Sequence, residues 1–246
     1  MRTLADFKAV GYPLTFSVLP QLDDSRQLAR AGAAAGCEVM LHLPMEPTGS
    51  ESNPGPGCVM VDMTDREISA LVAADLATVP GAVGVNNHMG SRATANRRVM
   101  AAALSTLRHQ GLFFVDSLTT GASVADDVAG EAGVPYAQRS VFLDTNFAGD
   151  IGSVEQFLEA AQERVQQLGT IAQRRGAAIG ICHYHPRTAE MLARLLPALE
   201  ESGVRVVSIS DLVGSMPRTG RSERAPAAGS GRGANTGPGA GAERNR

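Results

Sequence analysis

The chain has 246 residues, of which 43% are hydrophobic, so it is long enough to bury one large α/β core. Its 22 basic and 25 acidic residues leave a formal charge of -3, which gives no electrostatic basis for binding nucleic acid or an anionic membrane. Cys37, Cys58 and Cys182 lack C-x-x-C spacing, which predicts small buried side chains rather than a disulfide framework.

The strands and helices follow one another in a regular order. Short apolar runs, often β-branched, alternate with segments of helical periodicity, and this alternation predicts a largely parallel sheet or barrel. In chain order the predicted elements are strand 14–19, helix 24–35, strand 38–43, a helix after Thr64, strand 82–86, helix 95–110, strand 112–116, helix 122–132, strand 140–144, helix 153–175, strand 178–182, helix 187–202 and strand 204–208.

Two of these helices carry start signals. Thr64 and Glu67 form a capping-box pattern before the run ISALVAADLATV, and Ser153 with Gln156 forms the same pattern before the longest helix. In that longest helix, apolar residues recur every three or four positions, which is typical of a buried face. Upstream of Thr64, the segment PMEPTGSESNPGPG predicts a loop that overhangs the end of the preceding strand.

The two ends of the chain bear on domain organisation and location. The segment MRTLADFKAVGYPLTFSVLP has neither the apolar core nor the cleavage site of an export signal, and no apolar run reaches the roughly 18 residues of a membrane span. We therefore expect a soluble, cytoplasmic protein without a transmembrane segment. Residues 217–246 consist mainly of Gly, Ala, Arg, Pro and Ser, which predicts a disordered tail after a single domain at 1–216.

Four of the five histidines follow the carboxyl ends of predicted strands. His42 ends one strand, His88 follows a second, and His183 and His185 follow a third. Asp116 ends a fourth strand, where a carboxylate needs a partner or a cation to offset desolvation. Because the carboxyl ends of parallel strands meet at one edge, we expect these side chains to converge. Imidazole and carboxylate together favour zinc or another first-row divalent ion, and a metal-free polar pocket is the alternative.

Nearby polar residues each have two interpretations. Glu46 is either a ligand or partner at the same site, or a solvated loop carboxylate. Asn86 and Asn87 either orient a ligand or cap a turn. Arg92 either binds a sugar hydroxyl or an anion, or lies on the surface at a helix start. Asp144 ends the apolar run VFLD, in a setting like that of the aspartate after FFV.

Several of these segments resemble the divergent polysaccharide deacetylase family, relatives of the NodB-type carbohydrate esterases. They are HLPMEP, PGAVGVNNHMGSRAT, GLFFVDSLTT, RSVFLDTN and the region of His183, Pro186 and Thr188, and they occur in family order from about Pro13 to Val213. The resemblance implies a distorted (β/α) barrel, a divalent metal, for which we expect zinc, and removal of N-acetyl groups from a glycan.

The resemblance also implies a set of metal ligands. His42 matches the first histidine of the family's second motif, while Glu46 stands where NodB-type enzymes commonly have a second metal-binding histidine. This difference implies that His88, in the third motif, completes the coordination. We therefore expect His42, His88 and Glu46 to bind the metal.

Catalytic and substrate-binding residues follow from the same resemblance. Asp116 matches the family's strand-end aspartate, and His183 matches the late histidine that NodB-type enzymes use as a general acid. Family members usually have Gly-His-Pro there, whereas this chain has Cys182 before His183 and Tyr184 after it, which puts the orientation of His183 in question. Substrate binding is expected from Asn87, Arg92 and His185.

The start of the sequence differs from the family pattern. Proteins of this family resemble one another in a first strand that ends in two aspartates, one a metal ligand and one the base, upstream of PLTFSVLP. This sequence begins later, and Asp23 and Asp24 follow that strand and are expected to open a helix. We expect either a truncated or misassigned reading frame, or loss of the chemistry. An upstream signal segment would make the protein periplasmic or exported.

Two functional hypotheses result. The first is a metal-dependent carbohydrate N-deacetylase, in which a carboxylate takes a proton from water and His183 protonates the leaving amine. The second is a catalytically silent module that binds a glycan or serves as a scaffold. A carbohydrate is the expected partner of the enzyme and of a glycan-binding module, and the oligomeric state is left open.

Overall fold

The computed structural model describes residues 2–49, 53–144 and 154–215, in which strands and helices alternate. The strands are β1 (Thr15–Val18), β2 (Glu38–Met45), β3 (Ala82–Met89), β4 (Phe113–Asp116), β5 (Tyr136–Gln138), β6 (Val141–Phe142) and β7 (Gly180–Ile181). The helices are α1 (Arg2–Lys8), α2 (Ser25–Ala34), α3 (Asp65–Thr78), α4 (Arg97–His109), α5 (Ala125–Ala132), α6 (Val154–Arg175), α7 (Pro186–Glu201) and α8 (Ile209–Ser215).

All strand pairs in the described residues are parallel. β1 to β5 form one sheet in sequence order, and β6 pairs with β7 in a second sheet. A helix connects each pair of consecutive paired strands, as parallel pairing requires. The prediction of an α/β fold with a parallel sheet is confirmed. Within the described residues, the strands lie in two sheets rather than in one continuous ring.

The chain passes from the first sheet to the second at two consecutive residues. The amide of Arg139 donates to the carbonyl of Asp116 at 2.9 Å, beside β4, and the amide of Ser140 donates to the carbonyl of Ile179 at 2.8 Å, beside β7. The Arg139 guanidinium also donates to the carbonyls of Ser117 and Leu118 at 2.7 and 2.9 Å. Arg139 therefore links the segment before β6, in the second sheet, to the turn that follows β4 in the first.

One predicted strand is wrong, and three elements were not predicted. Residues 204–208 form no strand, because Val204 and Val206 pack side chains against an apolar cluster instead of pairing their backbone with a neighbour. The elements that were not predicted are short: α1, β5 and α8. The predicted tail at 217–246 lies outside the described residues, as does Ser153, the predicted start of α6.

Helix starts follow the local sequence where it supplies a capping side chain. Thr64 accepts from the amide of Glu67, and the Glu67 carboxylate accepts in return from the amide of Thr64, which confirms the predicted capping box. Asn96 caps α4 by accepting from the amide of Val99. These caps fix where the helices after β2 and β3 begin.

The core surrounds the long central strands. Leu41, Leu43 and Met45 of β2 are almost fully buried, as expected for a central parallel strand that is covered on both faces. In β3, Gly84 lies directly under the Phe113 ring, where any side chain would overlap the ring. The close fit of β3 against β4 therefore depends on this glycine.

The three cysteines are free, as predicted, but they are only partly buried, whereas buried side chains were predicted. Burial nevertheless raises the pKa of the Cys58 thiol to about 11. Across the described ranges, no helix combines the length and apolar character needed to cross a membrane.

Candidate functional site

Two histidines meet at the carboxyl ends of the central strands. His42 of β2 pairs in register with Asn86 of β3, and His88 lies two residues beyond Asn86. Residues two apart on a strand share a face, so all three side chains project to the same side of the sheet. The His42 Nε2 and His88 Nδ1 atoms lie 3.1 Å apart, and the two ring planes are inclined by 65°.

The surroundings of this pair favour neutral imidazoles. Burial, followed by the charge of His88 and then of His183, lowers the pKa of His42 to about 3, against the effect of the hydrogen bond to Asn86. Burial and the charge of His183 also lower the pKa of His88. Neutral imidazoles have a ring nitrogen with a free lone pair, which is what a metal ligand requires.

A second pair of side chains comes from the smaller sheet. Asp144 follows β6 and is fully buried, and it accepts from the His183 amide at 2.8 Å and from Thr188 Oγ1 at 2.9 Å. His183 Nδ1 lies 3.2 Å from the other Asp144 oxygen. This hydrogen bond and the charge of Asp144 raise the pKa of His183, and burial opposes them. His183 is therefore an oriented and exposed imidazole that gains a proton more readily than an ordinary histidine.

The Glu46 carboxylate is bonded to groups other than the histidine pair. One carboxylate oxygen lies 2.5 Å from the Arg92 guanidinium, and the other accepts from the amide of Val61 at 2.6 Å. The Glu46 carbonyl also accepts from the amides of Arg92 and Ala93. Glu46 thus joins the loop after β3 to the segment before α3, and both its carboxylate oxygens are used in that role.

Asp116 is likewise engaged in structure. It is fully buried, and its oxygens accept from the amide of Leu118 at 2.8 Å and from the hydroxyl of Ser123 at 2.6 Å. These bonds hold the turn after β4. The structure gives no hydrogen bond from Asp116 to His42 or His88, and its predicted catalytic role stays a prediction.

The predicted substrate-binding residues differ in accessibility. Asn87 is fully buried, and its amide group bonds Ser117 and the carbonyl of Met89. The Arg92 side chain is 59% exposed despite its ion pair with Glu46. His185 is exposed and accepts from the amide of Arg187 at the start of α7. Arg92 and His185 follow strands of the two sheets and face solvent.

Sequence reasoning gave too little weight to three residues of this arrangement. Asp144 ends an apolar run as Asp116 does, so the sequence pattern gives it equal reason to be a site residue. Ser117 bonds Asn86 and Asn87, and no pattern distinguishes it from other serines in turns. Thr188 was noted only for its resemblance to the family, and its bond to Asp144 becomes visible only in three dimensions.

The histidine pair fits two positions of a divalent ion. Zinc–nitrogen bonds of about 2.0–2.1 Å in tetrahedral geometry place two ligand nitrogens about 3.3–3.4 Å apart, so the observed 3.1 Å would have to lengthen slightly. In the described residues, no group of three or more His, Cys, Asp or Glu side chains is arranged to hold a metal. A divalent ion at this position would take two ligands, one from each of two neighbouring strands.

Comparison with known proteins gives consistent matches along the chain. Residues 1–213 match the sequence profile of a family described as divergent polysaccharide deacetylase. The chain is 33% identical over 185 residues to the uncharacterized protein YibQ of Escherichia coli (strain K12), covering 74% of this chain and 54% of YibQ. It is 30% identical over 199 residues to an uncharacterized protein of Haemophilus influenzae, covering 81% of this chain and 67% of that protein. The chain thus spans about half the length of the first relative and two thirds of the second.

A solved structure shows a similar fold. The uncharacterized protein ATU2773 from Agrobacterium tumefaciens C58 superposes with a TM-score of 0.74 at 21% identity, over 84% of this chain and 82% of that one. At this identity the likeness concerns the fold alone.

Proposed function

Because the chain belongs to the divergent polysaccharide deacetylase family, we propose that it acts as a metal-dependent hydrolase that removes N-acetyl groups from a glycan. The observation that carries this proposal is the meeting of two neutral imidazoles, His42 and His88, near an imidazole–carboxylate pair, His183 and Asp144. The charge of His183 affects the pKa of both histidines of the first pair, so the two pairs share one electrostatic environment.

The histidine pair would hold the metal. His42 and His88 project from neighbouring strands whose register fixes their separation, and one ion would bind both nitrogens in place of the hydrogen bond between the two rings. A divalent ion there would supply a Lewis acid for the acetamide carbonyl and for the attacking water. The low pKa of His42 keeps this ligand unprotonated at neutral pH, without competition from a proton.

His183 would act as the general acid. Asp144 binds the backbone amide and the ring Nδ1 of His183, so Nε2 points away from the carboxylate. When the C–N bond of the acetamide breaks, the leaving nitrogen takes a proton from Nε2 and departs as an amine. Asp144 favours the protonated imidazole, and Thr188 holds Asp144 in place. The departure from Gly-His-Pro around His183 thus leaves a histidine that its carboxylate still orients.

Carbohydrate binding is assigned to exposed residues at the same edge. Arg92 and His185 follow β3 and β7, and both present polar groups to solvent. Asn87 acts indirectly, because its buried amide holds the turns from which the site is built.

The test measures zinc content and acetate release on separate variants. His42→Ala and His88→Ala should each reduce the zinc that copurifies with the protein, measured by inductively coupled plasma mass spectrometry. His183→Gln should retain zinc but release acetate from N-acetylated chito-oligosaccharides 100-fold to 10,000-fold more slowly, the range typical of a lost general acid. His109→Ala, at the exposed end of α4, is the matched control.

The competing function is a silent glycan-binding module. It is favoured by one observation, which is that the oxygens of both Glu46 and Asp116 are already engaged with neighbouring groups. Saturable binding of the oligosaccharides with no acetate release by the unchanged protein would support this alternative and contradict the hydrolase. Unchanged zinc content in both the His42→Ala and His88→Ala variants would contradict the metal site.

A further inference from the structure

A chain of hydrogen bonds beneath His42 has only one consistent direction. It ends at the backbone carbonyl of Asn87, which accepts from Ser117 Oγ at 2.7 Å. A carbonyl oxygen has no proton to give, so the Ser117 hydroxyl must be the donor in this contact. The only proton of that hydroxyl is then used, and toward other neighbours Ser117 Oγ acts as an acceptor.

The Ser117 hydroxyl in turn determines how the Asn86 amide is oriented. Its Nδ2 lies 3.2 Å from Ser117 Oγ and donates to it, so its Oδ1 is turned to the other side. There Oδ1 lies 3.1 Å from His42 Nδ1. An amide oxygen is an acceptor only, and this contact therefore requires the proton of the neutral His42 ring to be on Nδ1. The remaining ring nitrogen, Nε2, carries a lone pair directed at His88.

Burial makes this direction hard to reverse. Asn86 and Ser117 are each 6% exposed and Asn87 is fully buried, so water has little access to replace a mismatched partner. A reversed amide would turn its Oδ1 toward Ser117 Oγ and leave the Ser117 hydroxyl with two acceptors for one proton. Leaving buried polar groups unsatisfied in this way is costly.

We propose that Ser117 and Asn86 are positioning residues that lock His42 in the Nδ1–H tautomer and so keep its Nε2 lone pair, on the side of His88, available as a metal ligand. This inference rests on the proposed metal site for its purpose, but the tautomer follows from the hydrogen bonds alone. In the hydrogen bond between the two rings, His88 Nδ1 holds the proton and donates it to His42 Nε2. When one cation binds both nitrogens, that proton leaves Nδ1, and a proton from water occupies Nε2 of the neutral His88 ring. No net charge is gained or lost on the ring.

The tautomers are read directly by long-range ¹H–¹⁵N correlation NMR on uniformly ¹⁵N-labelled protein at pH 7.5. The five histidines are assigned by single substitutions. In protein treated with a chelator, His42 should show a protonated Nδ1 and an unprotonated Nε2. On addition of zinc, His42 should keep this pattern while His88 changes from a protonated Nδ1 to a protonated Nε2.

The variants separate positioning from general stability. Ser117→Ala frees the Asn86 amide to rotate, and Asn86→Leu removes the acceptor, so both should turn His42 into a mixture of tautomers and weaken zinc binding 10- to 100-fold. Asn86→Asp, which keeps an acceptor oxygen, should restore the Nδ1–H tautomer. Ser123→Ala removes a hydroxyl from the same turn but outside the chain of bonds, and it should leave the tautomer unchanged.

Three results decide the matter. A protonated Nε2 on His42 in the unchanged protein overturns the inference. So does an unaltered His42 pattern in Ser117→Ala and Asn86→Leu proteins that melt as the Ser123→Ala control does. If the predicted tautomers are found but zinc does not bind, the positioning role of Ser117 and Asn86 is supported and the proposed metal-dependent function fails.

Discussion

Asp75 provides a test of how burial controls stability in this fold. Its carboxylate lies on α3 and is fully buried, with Oδ1 accepting from the Gln21 side chain at 2.6 Å. Oδ2 has no hydrogen-bond partner among the described residues. Gly57 packs so closely that a Cβ there would lie 2.5 Å from Oδ1. Burial raises the pKa of Asp75 to about 7, and the hydrogen bond from Gln21 opposes this only in part.

The effect on folding has a defined sign. In the unfolded chain the carboxyl has a pKa of about 3.9, so between about pH 4 and pH 7 the folded state holds a proton that the unfolded state has lost. Its contribution to stability is complete below about pH 4 and is lost as the pH rises through about 7. The difference of about three pH units corresponds to about 4 kcal/mol in favour of unfolding at high pH. This is a large part of a typical stability of about 5–15 kcal/mol.

The perturbation is Asp75→Asn, which keeps the shape and the acceptor for Gln21 but does not titrate. Other groups also titrate, and His42, with its lowered pKa, gives the opposite slope below about pH 6.5. The informative quantity is therefore the free energy of unfolding of the unchanged protein minus that of the variant. From pH 5 to pH 8 this difference should fall by about 3 kcal/mol, most of it below pH 7.

Urea denaturation followed by circular dichroism at pH 5, 6, 7 and 8 measures this difference. Asp65→Asn is the matched control, because Asp65 begins the same helix with a side chain that is 68% exposed. For this control, the free energy of unfolding of the unchanged protein minus that of the variant should stay constant over the same pH range. A difference for Asp75→Asn that varies by less than about 0.5 kcal/mol would refute the reasoning that burial keeps this carboxyl protonated.

Three further predictions concern the core, the pKa of His183 and a helix cap. Leu41→Ala, in the centre of β2, should lower the free energy of unfolding by about 2–5 kcal/mol, and a loss below 1 kcal/mol in urea denaturation would contradict the tight packing described for this strand. Asp144→Asn should lower the pKa of His183 measured by NMR titration, because it weakens the hydrogen bond and removes the negative charge that raise this pKa; an equal or higher pKa would show that burial governs it instead. Thr64→Ala should cost about 0.5–2 kcal/mol through loss of the capping box, and an unchanged melting temperature would contradict that role.

Sequence patterns predicted the architecture because hydrophobic periodicity and helix caps act locally. The alternation of apolar runs and helices implied parallel strands, and this implied that residues at their carboxyl ends would lie at one edge. His42 and His88 do lie there in hydrogen-bonding distance. The segment 204–208 has the same apolar character as a strand, but its backbone pairs with no strand among the described residues, and pairing of that kind is decided by the tertiary structure.

The choice of partners within the site was not predictable from the sequence. Asp116 and Asp144 both end apolar runs, and only the packing of the two sheets decides that Asp144 bonds His183 while Asp116 holds a turn. By sequence, Glu46 suits both a metal and solvent, and the structure adds a partner that the sequence does not indicate, Arg92, because the loop after β3 folds back over the end of β2. Such pairings depend on contacts between residues far apart in the chain.

The division of the strands into two sheets affects how this protein tolerates change. His42 and His88 stand on the larger sheet, His183 on the smaller one, and the passage between the sheets is confined to Arg139 and Ser140. The distance from His183 to the imidazole pair therefore depends on how the two sheets are linked at these residues and packed against each other, for example where Met40 and Phe113 share an apolar cluster with Ile179. Substitution of Arg139 would remove the side-chain link to the carbonyls of Ser117 and Leu118, and so would alter the spacing between the two sheets while leaving His42, His88 and His183 themselves unchanged.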